Sequence, residues 1–358
     1  MRTIVSVVGA RPNFMKLAPL AHTLAGRAGV RHLIVHTGQH YDEGMSESFI
    51  RTLRIPEPDC NLGAGSASHA QQTATIMQRF EPVCLETRPD LVLVYGDVNS
   101  TVAAALVAAK LGIPVGHVEA GLRSRDWSMP EEINRVVTDR LSDLLFTPSR
   151  DADANLRAEG VPAERVHFVG NIMIDSLLAL LPEARRHRNG NGNGTPDPYA
   201  VVTLHRPANV DDPAALTELL AALDEVSRAR RVVFPVHPRT GARMRELGWQ
   251  PASARITLLE PLPYIEMLRL VLHSDVVITD SGGLQEETSY LGIPCLTVRD
   301  NTERPITCSE GTNRLVAARR AAISAAVHDA VSARRRDRPT IERWDGRAAQ
   351  RIAQVIAP

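Results

Sequence analysis

The chain carries no excess charge of either sign. Lys and Arg number 41, and so do Asp and Glu, so no net field draws it to nucleic acid or to an anionic membrane. Any anion site must come from local placement. The cysteine patterns of metal and redox proteins are missing too. The four cysteines, Cys60, Cys84, Cys295 and Cys308, form no CxxC and no Cys/His cluster, which argues against a zinc site. Scattered cysteines in 358 residues read as the reduced thiols of a cytoplasmic protein. Long apolar runs are absent. The N-terminal TIVSVV is followed at once by GARP, a strand and a loop, too short for a signal peptide or a membrane span. Neither GxxxxGK[ST] nor GxGxxG occurs, so no Walker A loop or dinucleotide fingerprint is expected.

What is present is a globular composition, 44% hydrophobic and 23% charged, long enough for two domains. Apolar strand-like runs alternate with helical periodicity. TIVSVV (3–8), HLIVHT (32–37), LVLVY (91–95), VGHV (115–118) and LLFTPS (144–149) are separated by helical stretches such as 69–87 and 100–112. A second series follows: AVVTLH (200–205), RVVFPVH (231–237), RITLLE (255–260), VVITDSGG (276–283) and CLTVRD (295–300). Such βαβ series predict doubly wound parallel sheets. The expected fold is α/β, two Rossmann-like domains facing each other across a cleft. The first would span 1–170 and the second 171–358, with the last helix packing back on the first. NGNGNGTPDP at 189–198 reads as a flexible surface loop.

Two strand endings stand out. LVLVYGD ends on Asp97 and VGHVEAG carries Glu119, and MPEEINR then opens a helix with Glu131 after Pro130. In an open parallel sheet the ligand crevice lies outside the carboxyl ends of the strands. A lone acid after a strand usually caps a loop or helix. Three acids at these places suit proton transfer, or a metal, better than they suit folding.

Anion-binding groups sit at comparable places. VVITDSGGLQEETSYLG (276–292) is a strand, a polar-glycine turn and a helix. Its residues Ser281, Gly282 and Gly283 would offer backbone amides at a helix N-terminus, where partial positive charge favours phosphate. A tight βα turn that binds nothing is an equal alternative when DSGG is taken alone. GARPNFMK (9–16) makes a similar turn and adds Arg11 and Lys16; HTGQH, TLHRP, FPVHP and RDNTERP each place a His or Arg just past a strand. Gathered at one end of both sheets, these residues would line a basic cleft opposite the acids, suited to a small charged substrate.

With these motifs the chain resembles the non-hydrolysing UDP-N-acetylglucosamine 2-epimerases. GARPNFMK, TGQH, YGDVNST, HVEAGLRS, PEEINR, HR, DSGGLQEE and RDNTERP appear in that family's order. The resemblance implies the B-type glycosyltransferase fold and interconversion of UDP-GlcNAc and UDP-ManNAc. It implies Asp97, Glu119 and Glu131 as the acid/base group, with Lys16, His205, Arg11 and Arg135 as further active-site residues. Ser281, Gly282 and Gly283 would hold the diphosphate, Glu287 the ribose hydroxyls, and Arg304 would support the UDP site. Met267 stands where relatives often have an aromatic near the uracil. No cofactor and no metal is implied. The partners implied are a UDP-sugar and a second copy of the chain in a homodimer, with neither nucleic acid nor membrane.

The implied chemistry explains the residue set. No carbonyl flanks the C2 proton of the sugar, so family members eliminate UDP to give 2-acetamidoglucal and add it back with the opposite configuration. One group takes a proton and another returns one to the opposite face, so more than one carboxylate is expected. Charge on the departing β-phosphate would fall to Arg11, His205 and the amides after β-strand VVIT. HTGQHYD and MPEEINR also resemble the branch that epimerises UDP-2,3-diacetamido-glucuronate, which stands second. Rivals are a B-type glycosyltransferase, a hydrolysing epimerase and a silent UDP-sugar-binding regulator. Tyr41, Asp42 and Pro207 replace residues that hold a second UDP-GlcNAc in many relatives. Weak or absent activation by that nucleotide is therefore expected.

Overall fold

The structure is a computed structural model that describes residues 1–39, 50–186, 198–332 and 340–357. Tyr41, Asp42 and residues 189–197 of the Asn/Gly-rich stretch lie outside the described residues. The chain divides into two compact units, Met1–Leu178 with Glu342–Pro358, and Ala179–Ile341.

Seven strands of the first unit form one sheet: β1 (Arg2–Val8), β2 (Val30–His36), β3 (Cys60–Asn61), β4 (Leu91–Tyr95), β5 (Val115–Val118), β6 (Leu144–Thr147) and β7 (Val166–Phe168). Their order is β3-β2-β1-β4-β5-β6-β7, and every neighbour pair is parallel. The strand sequences are near-continuous apolar runs because helices cover both faces of a parallel sheet. On one face Val5, Val7, Val92 and Val94 pack with Ile76, Phe80 and Cys84 of helix His69–Thr87 and Ala103, Ala104 and Ala105 of helix Asn99–Lys110. The longer helix starts at Ser68, whose hydroxyl accepts from the Gln71 amide at 3.3 Å. Ile4, Val5, Ser6 and Val7 of β1 pair with β2 on one side and β4 on the other. Chain connections leave β1 and β4 in opposite directions, so a crevice opens at their carboxyl ends.

The second unit repeats this plan with β8 (Tyr199–Thr203), β9 (Arg231–Pro235), β10 (Ile256–Leu259), β11 (Val276–Thr279), β12 (Cys295–Val298) and β13 (Asn313–Val316). The order is β10-β9-β8-β11-β12-β13, again parallel, and the switch point falls between β8 and β11. Alternate residues of β8 serve opposite faces: Ala200 and Val202 join one core with Leu219 and Leu223, while Tyr199 and Val201 join another with Leu284 and Ile293. Short β3, β7 and β13 were not among the expected strands; each lies at an outer position or next to one, where a brief pairing leaves little apolar pattern.

The division differs from the expected boundary at 170. The helix Ile172–Arg186 begins in the first unit. Ser176 Oγ donates to the Met15 carbonyl, and Asp175 accepts from the amides of Ala348 and Ala349 at 3.2 and 2.8 Å. That carboxylate caps the helix Ala348–Ile356, which packs on the helix Arg11–Leu24. Residues 171–178 and 342–358 therefore belong with the first sheet, not with the second.

Candidate functional site

At the first switch point the turn after β1 and the turn after β4 are tied together by Asn13. Its side-chain oxygen accepts from the Ala10 amide at 3.0 Å and its nitrogen donates to the Tyr95 carbonyl at 2.8 Å. One helical turn later Lys16 projects from the same helix. Its ammonium forms a buried ion pair with Glu119, at the end of β5. Between them lies Gly96 at φ 64°, where an ideal Cβ would stand 2.6 Å from Lys16 Nζ and 3.2 Å from Glu119 Oε2. The left-handed backbone angle favours glycine, and a Cβ would push on the ends of both side chains.

Asp97, next in the chain, is held from helix Pro130–Leu141. Arg135 donates to Asp97 Oδ2 through Nε at 3.0 Å and Nη2 at 2.7 Å, and Asn134 donates to the Asp97 carbonyl at 2.9 Å. Asp97 keeps about a quarter of its side chain exposed while Arg135 is buried, at 24% and 3%. Two charge-assisted bonds converge on that one oxygen and hold it in place. Glu131, in the first turn of that helix, is partly exposed. Arg11 opens the helix after β1 and is also partly exposed. The structure thus brings Lys16, Glu119, Asp97 and Arg135 to neighbouring strand ends of one sheet.

Glu132 was missed in favour of its neighbour. It is buried and accepts from the Ser124 amide at 2.9 Å, the Arg125 amide at 2.8 Å and Arg135 Nη1 at 2.6 Å. Burial opposes its charge, but those donors outweigh it and leave its pKa lowered. It supports Arg135, which in turn grips Asp97. The i, i+3 spacing of Glu132 and Arg135 on one helix face was the readable signal.

The second switch point is built on a buried carboxylate. Asp280 follows β11 and accepts from the backbone amides of His205 and Arg206 at 3.0 and 2.9 Å, from His205 Nδ1 at 2.9 Å and from Asn209 at 3.1 Å. Burial would raise its pKa, yet His205 and these amides hold it lowered. His205 is therefore oriented by Asp280 and keeps 39% of its side chain exposed. Sequence reading placed no role on Asp280, although it directly precedes the Ser-Gly-Gly turn.

Helix Gly282–Leu291 starts at this turn with Ser281 as its N-cap. One expectation is corrected: the Ser281 amide is taken, donating to Thr279 Oγ1 at 2.9 Å, because the last β11 residue folds its hydroxyl back over the turn. Gly282 and Gly283 are the first two helical residues, whose amides have no acceptor inside the helix. An ideal Cβ on Gly282 would lie 2.7 Å from Arg304 Nη1 and 2.9 Å from Glu303 Oε1. Arg304 is gripped by Glu286, 2.8 Å from its Nε, and by Glu303, which also pairs with Arg299 at 2.9 Å. A second turn along, Glu287 is buried and accepts from Tyr264 Oη at 2.8 Å. Burial pushes its pKa up to about 7, with the Tyr264 hydrogen bond opposing and Glu286 adding to the rise. Met267 is partly buried against the core that includes Leu284 and Ile293. No group of three or more potential metal-binding side chains occurs among the described residues, and no helix among them is long and apolar enough to cross a membrane.

The family model of UDP-N-acetylglucosamine 2-epimerase matches residues 22–357. The chain is 41% identical to the UDP-2,3-diacetamido-2,3-dideoxy-D-glucuronate 2-epimerase of Pseudomonas aeruginosa, covering 99% of each. It is 38% identical to the UDP-N-acetylglucosamine 2-epimerase of Methanocaldococcus jannaschii, over 98% of this chain and 97% of that one. The crystal structure of the Methanocaldococcus jannaschii enzyme in complex with UDP-GlcNAc and UDP superposes with a TM-score of 0.90 over 99% of each chain. The crystal structure of the glycotransferase of kitacinnamycin shares 15% identity with a TM-score of 0.56 over 99% of this chain and 94% of that one, a likeness of fold alone. The protein belongs to the UDP-N-acetylglucosamine 2-epimerase family.

Proposed function

We propose that this protein reversibly epimerises UDP-GlcNAc to UDP-ManNAc at C2. The observation that carries the reading is the pairing at neighbouring strand ends of one sheet: Lys16 with Glu119, and Arg135 with Asp97. Two anchored carboxylates in one sheet crevice supply what a C2 inversion needs. A base takes the C2 proton while the C1–oxygen bond to the diphosphate breaks, giving 2-acetamidoglucal and UDP. UDP then re-adds at C1 as an acid returns a proton to C2 from the other face. Asp97, Glu119 and Glu131 are assigned this acid/base work. Lys16 neutralises Glu119 in its resting position. The charge on the departing diphosphate is assigned to Arg11 of the first unit and, in the second, to His205 and the amides of Gly282 and Gly283, next to which Arg304 stands. Glu287 holds the ribose hydroxyls, and Met267 lies along the uracil. No hydride leaves the sugar, so the reaction calls for no nicotinamide.

The Pseudomonas aeruginosa relative, 41% identical end to end, favours a second reading in which the same chemistry acts on UDP-2,3-diacetamido-glucuronate. The working form is read as a cytoplasmic homodimer, which sedimentation tests. For the substrate, the enzyme is offered each nucleotide sugar separately, without added NAD or metal, and products are resolved by NMR. UDP-ManNAc formed from UDP-GlcNAc, and UDP-GlcNAc from UDP-ManNAc, is the expected result. Turnover of the diacetamido-uronate alone would move the assignment to the second reading. Accumulation of free ManNAc, or no turnover of any of them, would sink both.

A further inference from the structure

Strand β5 carries a histidine whose two ring nitrogens both face acceptors. His117 is wholly buried. Its Nε2 lies 2.8 Å from the Gly96 carbonyl and its Nδ1 2.6 Å from Asp139 Oδ1. A carbonyl oxygen can only accept. Asp139 is a carboxylate, since its Oδ2 faces two donors, the Arg123 guanidinium and the Gly121 amide. A carboxylate also only accepts, so both contacts are hydrogen bonds only when both ring nitrogens carry protons. Asp139 Oδ2 accepts from the Gly121 amide at 3.0 Å and pairs with Arg123 Nη1 at 2.7 Å. One buried carboxylate therefore fastens Gly121 directly and Gly96 through His117.

Those two glycines bracket the acids of the site. Gly96 immediately precedes Asp97, and Gly121 lies two residues after Glu119. Glu119 itself sits at φ 74°, a left-handed angle that a side chain like glutamate rarely adopts. Its amide and that of Ala120 both donate to the Phe146 carbonyl, at 3.1 and 3.0 Å. Such a conformation persists only where the surroundings over-determine it. A histidine that merely fills a core needs one donor and one acceptor nearby and could stay neutral. This one reaches out of its strand to the loop that carries the neighbouring acid.

We propose that His117 and Asp139 are positioning residues for the proton transfer, a buried imidazolium–carboxylate strap that locks the loops bearing Asp97 and Glu119 without touching the sugar. The strap rests on the reading of those two acids as the acid/base pair. The Gly96 end acts on the loop that carries Asp97 and is the one turnover depends on, while Asp139 fastens Gly121 directly and holds the ring from its other side.

The test compares two amide replacements. His117→Asn keeps a donor near the Nδ1 position, toward Asp139, but falls short of Gly96. His117→Gln places its amide nitrogen near the Nε2 position and restores the Gly96 bond. Both remove the ring and the charge. The strap predicts that His117→Asn lowers kcat at least about tenfold with KM for the nucleotide sugar within about threefold of wild type. His117→Gln recovers most of that loss, and the two variants melt at similar temperatures. Losses of kcat and melting temperature in parallel for both variants, or wild-type kcat in His117→Asn, overturn it. A second readout needs no turnover. In the wild-type protein labelled with 15N at histidine, one imidazole should show both nitrogens protonated through neutral pH; a neutral tautomer at His117 overturns the strap. Should the wild type turn over no nucleotide sugar, the proposed reaction fails, and the nitrogen signals still decide the strap's protonation.

Discussion

At the carboxyl end of β4 and β5 the first unit places two carboxylates, each gripped by a cation: Glu119 by Lys16 and Asp97 by Arg135. At the matching end of β8 and β11 the second unit also places a carboxylate, Asp280, but spends it inward on the amides of His205 and Arg206. What remains for a ligand there is His205 and the start of a ten-residue helix at Gly282. Topology puts a crevice at both switch points. On the proposed function the side chains after each strand divide the work: anchored acids for moving protons in one unit, helix amides and a histidine for an anion in the other. One fold plan, used twice, would then serve two chemistries.

The comparison breaks most visibly at the acids. Asp97→Asn and Glu119→Gln should each lower kcat about 10²-fold or more, the scale of a general acid or base. Calorimetry should find UDP binding unchanged in both, since neither acid is assigned a contact with the nucleotide. A variant that loses UDP binding together with thermal stability would show a structural carboxylate instead.

Next comes Gly96→Ala. The added carbon meets Lys16 Nζ at 2.6 Å at a backbone angle of φ 64°, so the lysine end must shift beside Glu119 and the turn is strained. A shift of this size should cost roughly 10- to 100-fold in kcat, again with UDP affinity kept. Its counterpart in the second unit is Gly282→Ala, whose carbon would lie 2.7 Å from Arg304 Nη1. That change should weaken UDP binding about tenfold, the worth of one charge-assisted hydrogen bond, while kcat at saturation stays near wild type. If the two alanine variants gave the same kinetic pattern, the division of labour between the units would be wrong.

The smallest effect concerns Glu287, whose pKa burial lifts from 4.5 to about 7. Between those values the folded protein holds the extra proton, so this group's contribution to stability falls as pH rises and levels off above about 7. Glu287→Gln removes that loss. At pH 8 the variant should be more stable by about 1–3 kcal/mol and bind UDP less well. A melting temperature that does not rise relative to wild type at high pH contradicts the assignment.

How much of this was legible follows from where the signal lay. The inner strands were readable because LVLVY, VVIT and AVVT are apolar on both faces. Asp97, Glu119 and the Ser-Gly-Gly turn could be placed because they stand directly after such runs. Glu132, Asp280, His117 and Asp139 were not read as functional. Each acts on a neighbour through a buried contact across the fold, and one-dimensional spacing does not show which side chain a buried acid will meet. The domain boundary slipped for a related reason. Asp175 caps a helix beginning at Ala348, a tie between chain segments far apart in sequence. The Ser281 amide was expected to be available, and only the geometry of Thr279 shows that it is taken.

The most direct test of the central claim is solvent exchange at C2. The enzyme is incubated with UDP-GlcNAc in D2O and the proton spectrum of the nucleotide sugars is followed. Proton transfer by the first unit's acids predicts that the C2 proton signal disappears from both UDP-GlcNAc and UDP-ManNAc as they interconvert, with the sugar still joined to UDP at equilibrium. Interconversion with the C2 proton retained would contradict the account, because the carbon would then have been inverted without the acids exchanging its proton.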